Sequence, residues 1–401
     1  MGRTISLQRC LACVVVAILS AAPLAEVSNA QVRVPAGFDD RLVVDVGLPP
    51  TALAFTPDGR MLIATQEGRL LVKVGDQLLP TPAIDLSPRL CSNSERGLLG
   101  VAVDPDFART RYIYVYYTFN KHDSCGTNSR TVPVNRVSRL VLGDDNLVDA
   151  DSELILLDNI PSTGGNHNAG DLHFGPDGYL YVSVGDGGCD YLFDSGCAGA
   201  NDAARDQHVL LGKILRITRD GGIPPTNPFQ GEGTARCALT GRTEWGVACQ
   251  ETFASGLRNP FRFAFDWDAA EPRLFINDVG QGDWEEINLG VAGADYGWNI
   301  REGACVAGSR SDCPPPPEGL TDPLHAYSRA TGCGSITGGA FVRTESLWPA
   351  EHIGAYLFAD YVCGKIFVLR RTAGGDYESG TFADGFDRSS IVTMRFGPVG
   401  G

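Results

Sequence analysis

The stretch GGNHNAGDLHFGPDGYLYVSVGDGG, residues 164–188, decides the fold. Its second half reads as a β-hairpin. Phe174 closes one strand, Pro176-Asp177-Gly178 turn tightly, and Leu180, Val182 and Val184 alternate along the outgoing strand. Proline presets φ for such a turn, and glycine takes the positive φ that other residues resist. The first half is a polar, glycine-rich approach that sets His167 among Gly164, Gly165, Asn166, Asn168 and Gly170. With so little bulk around it, the imidazole is predicted on an open loop at a strand end, where binding and catalysis concentrate. A histidine that only hydrogen-bonds a neighbouring loop fits the same local pattern.

Copies of this hairpin recur outward from it. LAFTPDGRMLIATQEGRLLVK (53–73) repeats the order of apolar strand, Pro-Asp-Gly turn, apolar strand and glycine turn. VAVDPDFARTRYIYVYYT (101–118) and FAFDWDAAEPRLFINDVGQG (263–282) are looser copies, and GGAFVRTESLWPAEHIGAYLFADYVCGKIFVLRR (338–371) is a three-strand unit. RFGPVGG (395–401) looks like the start of one more copy, in which case Leu42 to Val46 is a candidate strand to close the ring. Similar hairpins at intervals of roughly forty to ninety residues predict a radial array of small antiparallel sheets, an all-β propeller. Helical periodicity is nearly absent; Asp202 to Leu210 is the one short candidate helix. The intervening loops, 119–135, 186–207, 219–250 and 302–320, are long and rich in Gly, Pro and Cys. No linker breaks residues 31–401, which are expected to form one domain.

Residues 1–30 read as a secretory signal peptide: Arg3 and Arg9, an apolar run from Leu11 to Leu19, and Ser28-Asn29-Ala30 before Gln31. The protein is therefore expected to be secreted or periplasmic, with cleavage near Ala30. The remainder carries 31 basic against 47 acidic residues, a net charge of −16. That charge disfavours nucleic acid and anionic membrane surfaces as partners. Twelve cysteines less Cys10 and Cys13 leave ten for an oxidising compartment. They fall into neighbouring pairs, 91 with 125, 189 with 197, 237 with 249, 305 with 313 and 333 with 363, so sequential disulfides stapling the loops are expected on proximity alone.

Four motifs add to the repeat: ERGLLGVAVDPDF (95–107), NHNAGDLHFGPDGYLYVSVGDGG (166–188), GLRNPFRFAFD (256–266) and DVGQGDWEEINLGVAGADYGWNIREG (278–303). With YLFADYVCGKIFVL (356–369), their order and spacing resemble the glucose/sorbosone dehydrogenase family. That family holds soluble quinoprotein aldose dehydrogenases and the propeller of Hedgehog-interacting-like proteins. The resemblance implies a six-bladed propeller, with a site at the wide end of its central channel. It implies His167 as general base toward a sugar's C1 hydroxyl, and pyrroloquinoline quinone (PQQ) as hydride acceptor, re-oxidised by an external electron acceptor. Asn166, Glu95, Arg258 and Asn259 match cofactor-side positions. Backbone carbonyls of Gly280 and Gln281 match a Ca²⁺ position beside the cofactor, a hard cation that takes oxygen ligands. Glu286 and the carbonyl of Tyr296 match a second, structural calcium.

The chain also departs from the family pattern. Val362 stands where the catalytic branch has a cofactor-binding lysine, and Ser390 and Val392 replace two arginines. Glu95 replaces a glutamine and Asn166 an aspartate. PQQ carries three carboxylates, and charge-assisted contacts contribute about 1.5–3 kcal/mol each, so these exchanges weaken the expected grip. Two readings follow. One is an exported PQQ-dependent sugar dehydrogenase. The other is a calcium-binding Hedgehog-interacting-like propeller that binds a glycan or protein without turnover. Trp298, beside the expected site, is the one tryptophan whose position suggests a role other than packing.

Overall fold

The computed structural model describes residues 32–127, 131–190, 192 and 194–398; the predicted signal peptide, 1–30, lies outside them. Alternating and fully apolar runs form five antiparallel sheets arranged as blades. Blade 1 is built from Pro50–Phe55, Met61–Thr65, Arg69–Val74 and Gln77–Leu78, with Ile84–Asp85 added to its third strand. Blade 2 comprises Leu98–Val103, Tyr112–Phe119, Val134–Leu142 and Val148–Pro161. Blade 3 comprises Leu172–Phe174, Leu180–Val184, Lys213–Ile217 and Thr252–Ala254. Blade 4 comprises Pro260–Asp266, Arg273–Asp278, Trp284–Leu289 and His325–Ser328. Blade 5 comprises Ile336–Phe341, Tyr356–Asp360, Lys365–Arg371 and Tyr377–Ala383.

The hairpin read from residues 172–184 forms as its sequence predicts. Leu172 pairs with Val182 and Phe174 with Leu180, and Gly178, at φ +76°, donates to Gly175 across the turn. Strands such as YIYVYYTF are β-branched and aromatic, which suits a pleated surface covered on both faces. Apolar clusters then bind each blade to the next. Leu62, Val72 and Leu98 join blades 1 and 2, while Tyr116, Leu172 and Val182 join blades 2 and 3. Ile214 and Phe263 join blades 3 and 4, and Phe275 and Phe358 join blades 4 and 5. Fully burying a side chain of this size contributes about 1.5–3 kcal/mol, so the inter-blade seams hold the fold together.

The described residues form five blades, not the six that the resemblance implies. Residues 391–397 join no sheet. Instead Thr337 Oγ1 donates to the Ile391 carbonyl at 2.7 Å, and Arg395 forms an ion pair with buried Asp171 of the blade 3 approach at 2.9 Å. Phe396 packs against Trp348, with ring centroids 5.4 Å apart. Side-chain contacts, rather than a strand ladder, hold this segment. Leu42 to Val46 do not close the ring either. The N-terminal segment lies on blade 5, where Arg33 pairs with Asp384 and Phe38 packs against Trp348.

The five predicted disulfides all form, Cys91–Cys125, Cys189–Cys197, Cys237–Cys249, Cys305–Cys313 and Cys333–Cys363. The short helix predicted over Asp202 to Leu210 does not; the segment is a run of turns. There the Ala204 carbonyl accepts the Gly256 N–H from outside the segment, and the buried Lys213 ammonium donates to the Ala203 and Ala204 carbonyls.

Candidate functional site

Loops at one end of the blades converge on a cavity of about 620 Å³, a volume typical of small-molecule sites. Glu95 reaches it from the approach to blade 2, His167 from the approach to blade 3, and Arg258 and Asn259 from the approach to blade 4. Gly280 and Gln281 arrive from a turn within blade 4, and Arg329 from the connection into blade 5.

His167 is not on an open loop: it is only 7% exposed. Glycines permit this burial by letting backbone close over it. A Cβ on Gly185 would lie 2.0 Å from the His167 carbonyl oxygen. His167 itself sits at φ +51°, a left-handed conformation that a non-glycine residue holds only when its surroundings enforce it. Enforcement comes from Glu95, whose Oε2 accepts the His167 N–H at 2.7 Å.

The ring is held as firmly. Its Nδ1 lies 2.6 Å from Asp186 Oδ1. Asp186 is fully buried and also accepts the Gly188 N–H at 2.8 Å and Trp298 Nε1 at 2.8 Å. Burial alone would raise this carboxyl, but His167, Arg258 and the Gly188 N–H together hold it below the usual carboxylate range. An ionised carboxylate only accepts, so it fixes the proton of neutral His167 on Nδ1 and leaves Nε2 with its lone pair.

Arg258 and Asn259 are positioned by one buried acid. Asp278 accepts both their backbone N–H groups, at 2.9 and 2.7 Å. Burial pushes Asp278 up to about 7 despite those bonds. The Arg258 guanidinium donates to Gln281 Oε1 at 2.8 Å and to the Val279 carbonyl at 2.9 Å, and lies 5.6 Å from the Trp298 ring centre. Asn259 Oδ1 accepts the Ala169 N–H at 3.1 Å, tying the blade 4 approach to the His167 loop.

The other expected positions fare differently. Asn166 is not among the residues lining the cavity; its Oδ1 packs where a Gly188 Cβ would stand. The Gly280 and Gln281 carbonyls do reach the site, but Arg329 Nη1 donates to both, at 3.1 and 2.7 Å. Glu286 is buried, and its two oxygens accept the Gly303 N–H and Asn288 Nδ2 at 2.5 and 3.1 Å. Burial, with Asp278 nearby, pushes Glu286 up to about 8. Tyr296 packs its ring into the cluster between blades 3 and 4. On the blade 5 side the cavity wall is Tyr361, Ser390 and Val392, while Val362 is 38% exposed and lies outside it.

Sequence reading missed two members. Asp186 lies inside the quoted SVGDGG, where the strand-to-loop change marks a site residue without showing that it faces His167. Arg329 lies in SRATG, outside every motif, and reaches Gln281 across 48 residues of sequence.

The sequence model described as glucose/sorbosone dehydrogenase matches residues 48–362. The chain is 27% identical over 357 residues to the HIPL2 protein of Arabidopsis thaliana, covering 76% of this chain and 47% of that protein. It is 31% identical over 280 residues to the aldose sugar dehydrogenase YliI of Escherichia coli K12, covering 69% and 66%. The chain thus spans about half the length of the plant relative it matches. Among solved structures, the PQQ-bound aldose sugar dehydrogenase of Streptomyces coelicolor superposes with a TM-score of 0.63 at 25% identity, covering 88% of this chain and 85% of that one.

Proposed function

Since the chain belongs to the glucose/sorbosone dehydrogenase family, we propose that it is an exported PQQ-dependent sugar dehydrogenase that oxidises the C1 hydroxyl of an aldose. The observation that carries this reading is the His167–Asp186–Trp298 chain at the wall of a cavity that also presents Arg258, Asn259 and Arg329. The buried carboxylate behind His167 supplies the fixed orientation and tautomer that a general base needs.

The donor set fits a planar quinone bearing carboxylates, because Arg258, Arg329 and the Asn259 amide are among the residues that line one cavity. Arg258 and Asn259 would hold its quinone edge, and Arg329 a carboxylate. When bound, PQQ supplies the two-electron acceptor for the hydride that leaves C1. His167 Nε2 takes the hydroxyl proton as the C1–H bond breaks, and the sugar becomes a lactone. Asp186 stabilises the imidazolium that results and keeps the ring from turning. Arg258 opposes negative charge that develops on the cofactor side. Calcium does not fit at Gly280 and Gln281 in this arrangement, since a guanidinium already sits on both carbonyls and would repel it. No step here depends on it.

Export is supported by the 1–30 segment and by ten paired cysteines. No helix among the described residues is long and apolar enough to cross a membrane. The partners that follow are a small sugar and an external electron acceptor.

The blade 5 wall favours a second reading. Tyr361, Ser390 and Val392 offer no positive charge, as suits a propeller that binds a glycan or protein without turnover. Dye-linked oxidation of an aldose panel by the purified protein with PQQ, beside His167→Ala, decides between them. PQQ-dependent turnover that vanishes in the variant supports the dehydrogenase. No turnover, with no spectral sign of bound quinone, favours the binding propeller.

A further inference from the structure

We propose that Arg329 is a built-in cation: its guanidinium stands at the carbonyls of Gly280 and Gln281, so the cavity holds an anionic cofactor without a divalent metal. The inference rests on the reading of the cavity as a PQQ site.

The geometry is that of a fixed group rather than a surface side chain. Arg329 opens a short turn directly after the last strand of blade 4, and its own N–H donates to the Asp283 carbonyl at 2.9 Å. Both Nη1 hydrogens go to the Gly280 and Gln281 carbonyls. Its Nε faces Glu285 Oε1 at 3.1 Å, and Nη2 donates to the Gly334 carbonyl. Glu285 is fully buried, and burial pushes its carboxyl up to about 8, with this guanidinium as the main opposing charge. The Cys333–Cys363 disulfide ties the residues after the turn to blade 5.

Two carbonyl oxygens and a carboxylate in one place make the ligand set of a hard cation. Here a planar, permanently charged group satisfies it from within the chain, bound through its fork of donors. With Nη1 committed and one Nη2 hydrogen given to Gly334, the second Nη2 hydrogen remains. The side chain is 24% exposed and lines the cavity, so that hydrogen is available to an acceptor held there. The sequence thus keeps positive charge at this wall while its blade 5 wall has none.

The test compares wild type, Arg329→Ala and Arg329→Lys after exhaustive chelation. Calcium chloride is titrated calorimetrically in the absence of quinone, and PQQ is titrated by absorbance in EDTA. We expect Arg329→Ala to take up one more Ca²⁺ per chain than wild type, and Arg329→Lys to match wild type. We expect wild type to bind PQQ in EDTA, and Arg329→Ala to bind it at least tenfold more weakly until calcium is restored. Equal calcium stoichiometry in wild type and Arg329→Ala overturns the proposal, as does a strict calcium requirement for PQQ binding by wild type. If no variant binds PQQ with or without calcium, the PQQ reading fails, and the calcium stoichiometry still decides the role of Arg329. Should Arg329→Ala fail to fold, Arg329→Gln, which removes the charge but keeps an amide donor and leaves Glu285 in place, carries the same comparison.

Discussion

His167 Nδ1 and Asp186 Oδ1 lie 2.6 Å apart, joined across 19 residues by the hairpin between them. The pairing fixes the tautomer of the general base, so Asp186 acts on the sugar only through His167. Asp186→Asn keeps the shape but can present its amide N–H to Nδ1, which would put the ring proton on Nε2. Loss of general-base catalysis is expected, about 10²–10⁴ in kcat, with PQQ binding retained. Steady-state kinetics beside a quinone absorbance titration would show it. A variant that loses PQQ binding and kcat together would mark Asp186 as part of the scaffold instead.

Gly185 makes the second prediction. Its hydrogen faces the His167 carbonyl where a methyl would stand 2.0 Å from that oxygen, and 2.9 Å from Asn259 Oδ1. These are backbone and tightly bonded atoms, so the clash cannot be relieved by one flexible side chain. Gly185→Ala should therefore move the His167 loop, costing more activity than stability. Activity and thermal melting measured on one preparation would check this. Unchanged kcat would mean that the loop tolerates the shift.

How much of this was legible in the sequence follows from the range of each contact. The 172–184 hairpin is set by local turn chemistry and alternation, and it appears with the register its sequence implies. Cysteine pairing also follows sequence proximity here. Blade number is different. It depends on whether RFGPVGG finds a sheet, and Arg395 reaching Asp171 across 224 residues has no local signal. The burial of His167 runs against its local sequence for a related reason. Glycine neighbours suggested exposure, whereas they let the Gly185 and Gly187 backbone pack onto the loop. Arg329 shows the same limit, since nothing in SRATG points to Gly280.

The Cys333–Cys363 disulfide closes a loop of 30 residues and anchors the segment that follows Arg329. By loop entropy alone its removal costs about 3–4 kcal/mol. Replacing both cysteines by serine should lower the denaturant midpoint accordingly. It should also weaken PQQ binding, because the Gly334 carbonyl that holds Arg329 Nη2 is freed to move. Denaturation and quinone titration test the two effects separately, and a stability loss with unchanged PQQ affinity would detach the disulfide from the site.

Asp190, Asp202 and Asp206 bring carboxylate oxygens within 4.8 Å of one another. Burial, then the charge of Asp202, pushes Asp206 up to about 6. Its unfolded value is near 3.9, so the folded chain holds a proton that the unfolded chain has released across that interval. The sign follows: stability is fully present below about pH 4 and falls as pH rises through about 6. A shift of this size is worth about 2–3 kcal/mol for a buried group, and about half that here, where Asp206 is partly exposed and screened. Asp206→Asn mimics the protonated acid at every pH. It should therefore stabilise the protein by about 1 kcal/mol at pH 7.5 and by nothing measurable at pH 4. Chemical denaturation of both proteins at the two pH values provides the comparison. An equal gain at pH 4 would show that the amide makes a new contact and that the relief of charge is not the cause.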